Sequence, residues 1–122
     1  MLTLVLVGLG GFVGAVARHA ATGFVRHHLG DGFPAGTLLV NVLGCLAIGA
    51  GLGLAREHPA LPDGLRLFLV VGLLGSFTTF STFGHETLEL LLAAELRLAL
   101  ISILGNLTLG LAAVWAGATV VS

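Results

Sequence analysis

The segment Gly75-Ser76-Phe77-Thr78-Thr79-Phe80-Ser81-Thr82-Phe83-Gly84 places five hydroxyls and three phenylalanines in one stretch of an otherwise apolar chain. β-Branched Thr-Thr beside Gly and Ser weakens a helix, which predicts a break near Gly75–Thr79. Backbone freed at membrane depth must be buried in protein or line a wet cavity, where its carbonyls and amides become ligands. Carbonyls at such a break suit a small hard cation such as Na⁺; amides and hydroxyls suit an anion. Phe80 and Phe83 stand three apart, on one face of any helix that follows the break. An aromatic ring has a positive edge, so ring edges stabilise an anion without a full charge and leave it free to move on. The same residues also read as a packing face with back-bonded hydroxyls, although packing does not explain why aromatics are interleaved at 77, 80 and 83.

Two asparagines lie inside other apolar runs. Asn41 stands in Gly36-Thr37-Leu38-Leu39-Val40-Asn41-Val42-Leu43-Gly44, and Asn106 has Ser102 four residues before it and Gly110 four after. That spacing puts Ser102, Asn106 and Gly110 on one helix face. An isolated membrane asparagine reads as an interhelical hydrogen bond of about 1 kcal/mol. Two on different helices, one backed by Ser102, strengthen the case for a polar pathway over a lone interhelical bond.

The elements that carry these residues follow from composition. The 122 residues are 57% hydrophobic with 19 glycines, and only 9% are charged, against about 25% in a soluble domain. Mean hydropathy is +1.10. All five basic residues are arginine, and net charge is −1. These values exclude a cytosolic enzyme, a nucleic-acid-binding domain and a disordered tail. A lone Cys45 forms no intrachain disulfide. The opening apolar run lacks the basic region and cleavage site of a signal peptide, so the first helix is expected to be retained. Reading between charges gives four spans of membrane length, at about 1–24, 33–55, 66–84 and 98–120, in one domain over 1–122. The amphipathic stretch 85–97 is read as a connection between the third and fourth.

An even number of spans puts Arg56 and Arg66 on one side and Arg18, Arg26 and Arg97 on the other. A difference of one arginine does not fix orientation; it permits insertion both ways, and it is equally what a charge-poor protein shows. Small-xxx-small spacings at Gly10/Gly14 and Gly49/Gly53 allow close helix contacts, and so small an interior favours packing against a second copy.

Three motifs carry a resemblance. Gly75 to Phe83 resembles the TTFSTF signature of the Fluc/CrcB fluoride channels. Gly10-Gly11-Phe12-Val13-Gly14-Ala15-Val16-Ala17-Arg18 resembles that family's GGxxGAxxR pattern, and Gly36-Thr37-Leu38-Leu39-Val40-Asn41-Val42-Leu43-Gly44 its GTLxVNxxG pattern. The resemblance implies an all-α membrane protein, not an enzyme, with four spans, a broken third helix and an antiparallel dual-topology homodimer. It implies passive fluoride export through two pores in a bacterial-type inner membrane. Carried over, Phe80 and Phe83 form the aromatic box and Asn41 donates at the pore. Thr79, Ser81 and Thr82 lie along the ion path, and Arg18 near the vestibule. The main-chain carbonyls of Gly75 and Thr78 hold a central structural Na⁺ from both subunits. Glu86 matches an acidic residue beyond the signature. Ser76 replaces a common glycine. The fourth-span face of Ser102, Asn106 and Gly110 departs from the hydroxyl residues that relatives often carry, so Ser102 and Asn106 are its candidates for the fluoride pathway.

Two other classes compete. A small proton-coupled multidrug exporter needs a carboxylate within the first helix, whereas the first acidic residue here is Asp31, in a loop. A non-conducting membrane subunit would use the polar residues only to join helices, and fluoride flux separates it from a channel.

Overall fold

The computed structural model describes residues 1–121; Ser122, the last residue of the expected domain, lies outside the described residues. Four long helices run over Leu2–Leu29, Ala35–Glu57, Asp63–Leu92 and Leu96–Val121, each long and apolar enough to cross a membrane. The first has 28 residues, about 42 Å at 1.5 Å per residue. It outruns a hydrocarbon core of about 30 Å, so Arg26, His27 and His28 in its last turn fall beyond that core. Gly30, at φ 79°, ends it and returns its N–H to the Arg26 carbonyl at 2.8 Å; the left-handed conformation suits a residue without Cβ. Pro34 and Pro62 precede the second and third helices, where a missing N–H costs no intrahelical bond.

Helix bounds differ from the span estimates chiefly at the third helix, which continues through Leu92. Most of the stretch 85–97 is therefore the amphipathic end of that helix and not a connection. Charged residues end a membrane span; they do not end a helix. Two segments, Leu67–Leu74 in the third helix and Gly105–Leu109 in the fourth, are wound as π-helix. Such widened turns commonly sit at functional sites.

The interior consists mainly of small residues. The first helix packs on the π-helical part of the third: a Cβ on Gly10 would lie 2.2 Å from the Phe68 carbonyl oxygen, and one on Gly72 2.6 Å from that of Val7. The second and fourth helices meet in the same way, with Gly49 against Val114 and Gly117 against Leu46. Backbones come this close only where Cβ is absent. Outward faces carry large apolar side chains such as Phe12, Leu111 and Trp115, as lipid or a partner helix requires.

Candidate functional site: a broken helix bridged by two asparagines

The third helix is interrupted where the sequence predicted. Thr78 (φ −83°, ψ 153°) and Thr79 (φ −149°, ψ 123°) are extended between Gly75–Phe77 and the helix Phe80–Leu92. Thr79 caps the second part, its Oγ1 accepting from the Thr82 N–H at 3.2 Å. A threonine in this position satisfies one of the four N–H groups that a helix start leaves over. The Thr79 hydroxyl also donates to Thr82 Oγ1 at 3.0 Å and lies 3.5 Å from Ser81 Oγ.

Where the first part stops, its last carbonyls lose their donors. Thr79 N–H, the i+4 partner of the Gly75 carbonyl, donates instead to Asn41 Oδ1 at 2.8 Å. The i+4 partner of the Thr78 carbonyl is Thr82 N–H, which is taken by the Thr79 side chain. Between these two, the Ser76 carbonyl accepts from Arg18 Nε at 3.2 Å. Gly75 and Thr78 thus present carbonyl oxygens released from helical bonding, the ligand type a hard cation takes.

Asn41 reaches the break from the second helix. Besides accepting from Thr79 N–H, its Nδ2 donates to the Thr79 carbonyl at 3.0 Å and to Asn106 Oδ1 at 2.9 Å. Asn106, on the π-helical turn of the fourth helix, donates from Nδ2 to the Ser102 carbonyl at 2.9 Å. Ser102 is buried and lies beneath it. Three helices therefore meet at one amide network.

Beside this network is a cavity of about 210 Å³ lined by Asn41, Cys45, Thr78, Thr79, Phe80, Phe83, Asn106 and Leu107. Among the described residues no charged side chain lines it. Phe80 and Phe83 stand edge to face, centroids 5.5 Å apart and planes at 63°. Phe83 is buried, whereas Phe80 is 78% exposed and projects from the protomer. A Cβ on Gly44 would lie 2.0 Å from Thr78 Cγ2, so the second helix must carry glycine where the break passes over it.

A larger, more polar cavity of about 550 Å³ opens on the far side of Thr79, with Arg18, Thr37, Thr82, His85 and Glu86 on its walls. Thr37 Oγ1 donates to Glu86 Oε1 across it. Near its rim Arg26 pairs with Asp31 at 3.2 Å, and His85 lies 3.8 Å from Glu89.

The structure thus gathers Asn41, Thr79, Phe80, Phe83 and Asn106 around one space, with Ser102 behind Asn106, Ser81 and Thr82 beside the cap, and Arg18 in the larger cavity. Thr108, on the same turn as Asn106, does not line this space; its hydroxyl donates to the Leu104 carbonyl on an exposed face. Thr37 and Cys45 belong to the two cavities but escaped the sequence reading. Their spacing held the signal, because 37, 41 and 45 fall four apart on one helix face.

The family described as "CrcB-like protein, Camphor Resistance (CrcB)" matches residues 5–118. A fluoride-specific ion channel FluC of Geobacter metallireducens is 41% identical over 117 residues, covering 96% of this chain and 94% of the relative. That of a Thermus thermophilus strain is 49% identical over 106 residues, covering 87% and 83%. Fluoride-specific ion channel FluC 3 of Methanosarcina barkeri is 38% identical over 120 residues, covering 98% and 90%.

Proposed function

Because the chain belongs to the CrcB family, whose members here bear the name of ion channels and not of enzymes, we propose that it is a fluoride-selective channel of a multi-pass membrane protein. It exports fluoride passively: hydrogen fluoride enters as the neutral acid, ionises in the more alkaline cytoplasm, and the anion leaves. The observation that carries this reading is the uncharged cavity at the break, walled by carboxamides, hydroxyls and two phenylalanines. Fluoride is small and strongly hydrated, so compact donors must replace its water. A full positive charge would hold it too long for conduction.

The active unit is an antiparallel homodimer with two pores along its interface. Phe80 supports this reading, since a ring so exposed in one protomer needs a second copy to complete a box around an ion. Arg18 stands in the vestibule, and Thr79, Ser81, Thr82, Ser102 and Asn106 flank the path. The Gly75 and Thr78 carbonyls, released from helical bonding, are the groups that would hold a structural Na⁺, which would supply a positive charge between the subunits. A proton-coupled exporter is disfavoured by the first helix, which carries no carboxylate, and by Asp31, which lies in the following loop and pairs with Arg26.

Fluoride efflux from proteoliposomes of the purified chain, run beside chloride efflux, tests the function. Rapid fluoride release with chloride retained is expected. Absence of fluoride release, or equal release of both anions, overturns it.

A further inference from the structure

Asn41 has two amide hydrogens, and both are engaged. One goes to the Thr79 carbonyl at 3.0 Å and the other to Asn106 Oδ1 at 2.9 Å. The bonds to Thr79 bridge the break, and giving them up would leave the Thr79 N–H unpaired at membrane depth, at a cost of several kcal/mol. The bond to Asn106 joins two side chains, and it can be exchanged for an anion with the bridge to the backbone intact. Asn106 is held with its oxygen towards Asn41: its own Nδ2 donates to the Ser102 carbonyl at 2.9 Å and lies 3.5 Å from Ser102 Oγ. Ser102 is only 1% exposed, so this anchor is fixed by packing. Both carboxamides line the cavity that holds the Phe80 and Phe83 rings.

We propose that Asn106 is a positioning residue whose Oδ1 competes with fluoride for the second amide hydrogen of Asn41, and so sets how tightly Asn41 holds the ion. The inference rests on the fluoride-channel reading. When an anion arrives, the Asn41–Asn106 bond opens and Asn41 donates to the anion. When the anion moves on, Asn106 takes the hydrogen back, so the departing ion leaves no unpaired donor behind. An acceptor built into the wall thus weakens binding and favours release.

Asn106→Leu removes the acceptor while keeping the branched shape of the side chain, and Asn106→Ala removes it with the smaller demand on packing. Fluoride efflux from proteoliposomes of each full-length variant is followed over a range of internal fluoride concentrations. Both variants should half-saturate at a concentration about threefold lower than the unsubstituted chain, the equivalent of one interhelical hydrogen bond of about 0.6 kcal/mol. A purely structural role for Asn106 would lower maximal flux in both without moving half-saturation, and that result overturns the inference. If the unsubstituted chain passes no fluoride, the channel reading itself fails. If it passes fluoride while the Leu and Ala variants half-saturate where it does, only the role of Asn106 is lost.

Discussion

Asn41 and Thr79 bond to each other twice: the Thr79 N–H donates to Asn41 Oδ1 at 2.8 Å, and Asn41 Nδ2 donates to the Thr79 carbonyl at 3.0 Å. A side-chain carboxamide thus pairs with a peptide group much as a neighbouring strand would. This pairing gives the Thr79 N–H, which has no helical acceptor at the break, its partner, and adds a second donor to the carbonyl that opens the following helix. The residue proposed to meet the anion is also the residue that keeps the break intact.

Asn41→Asp is the sharpest test of that double duty. The carboxylate can still accept from Thr79 N–H, but it sets oxygen against the Thr79 carbonyl and against Asn106 Oδ1. Each contact left without a hydrogen costs about 1–3 kcal/mol, and a negative charge now stands in the anion path. Fluoride efflux should fall to the level of empty liposomes, with thermal stability in detergent also lowered. Conduction retained by this variant would place Asn41 off the pore.

The two rings separate conduction from folding. Phe83 is buried in the protomer and Phe80 is not, so Phe83→Ile should lower thermal stability by on the order of 1 kcal/mol and Phe80→Ile by less. Both remove a polarised ring edge and should cut fluoride flux strongly while the protein still elutes as a dimer. Flux like that of the unsubstituted chain in both variants would remove the ring-edge mechanism.

How much of this was legible in the sequence depends on whether the cause was local. The break was legible because Thr78-Thr79 beside Gly75-Ser76 is a local conflict with helix geometry, and the Thr79 cap is written in the same residues. Asn41 and Asn106 each stood out as polar groups in apolar runs. Their mutual bond did not, because it joins positions far apart in the chain whose approach is set by glycine contacts between the second and fourth helices. The π-helical segments left no periodic trace: Leu67–Leu74 is apolar on every side, so widening its turns changes no pattern. The continuation of the third helix to Leu92 was hidden by His85, Glu86 and Glu89, which signal the membrane boundary but are good company for a helix in water.

Glycine contacts give a prediction independent of fluoride. A Cβ at Gly49 would lie 2.1 Å from the Val114 carbonyl oxygen and one at Gly117 2.2 Å from that of Leu46. Neither oxygen can yield without parting the second and fourth helices, and parting them would pull Asn106 from Asn41. Gly49→Ala and Gly117→Ala should each lower stability by about 1–3 kcal/mol, read as thermal unfolding in detergent. Gly32→Ala, in the loop with open space around it, should stay within about 0.5 kcal/mol of the unsubstituted chain. Equal stability of all three variants would show that the helices are not held at backbone contact.

Replacing Na⁺ tests whether the freed carbonyls hold a cation. The Gly75 and Thr78 oxygens lack their helical donors because Asn41 and Thr79 have taken the N–H groups that would have served them. Without a cation, these carbonyls must be met by water or left unpaired, and an unpaired buried group costs about 1–3 kcal/mol. In the proposed dimer, where two breaks would share one ion, that cost would fall on the dimer. Purification and reconstitution with a large organic cation in place of Na⁺ throughout should lower both the thermal stability of the dimer and the fluoride flux, and adding Na⁺ back should restore them. A dimer whose stability and flux are indifferent to the exchange has no structural sodium at this break.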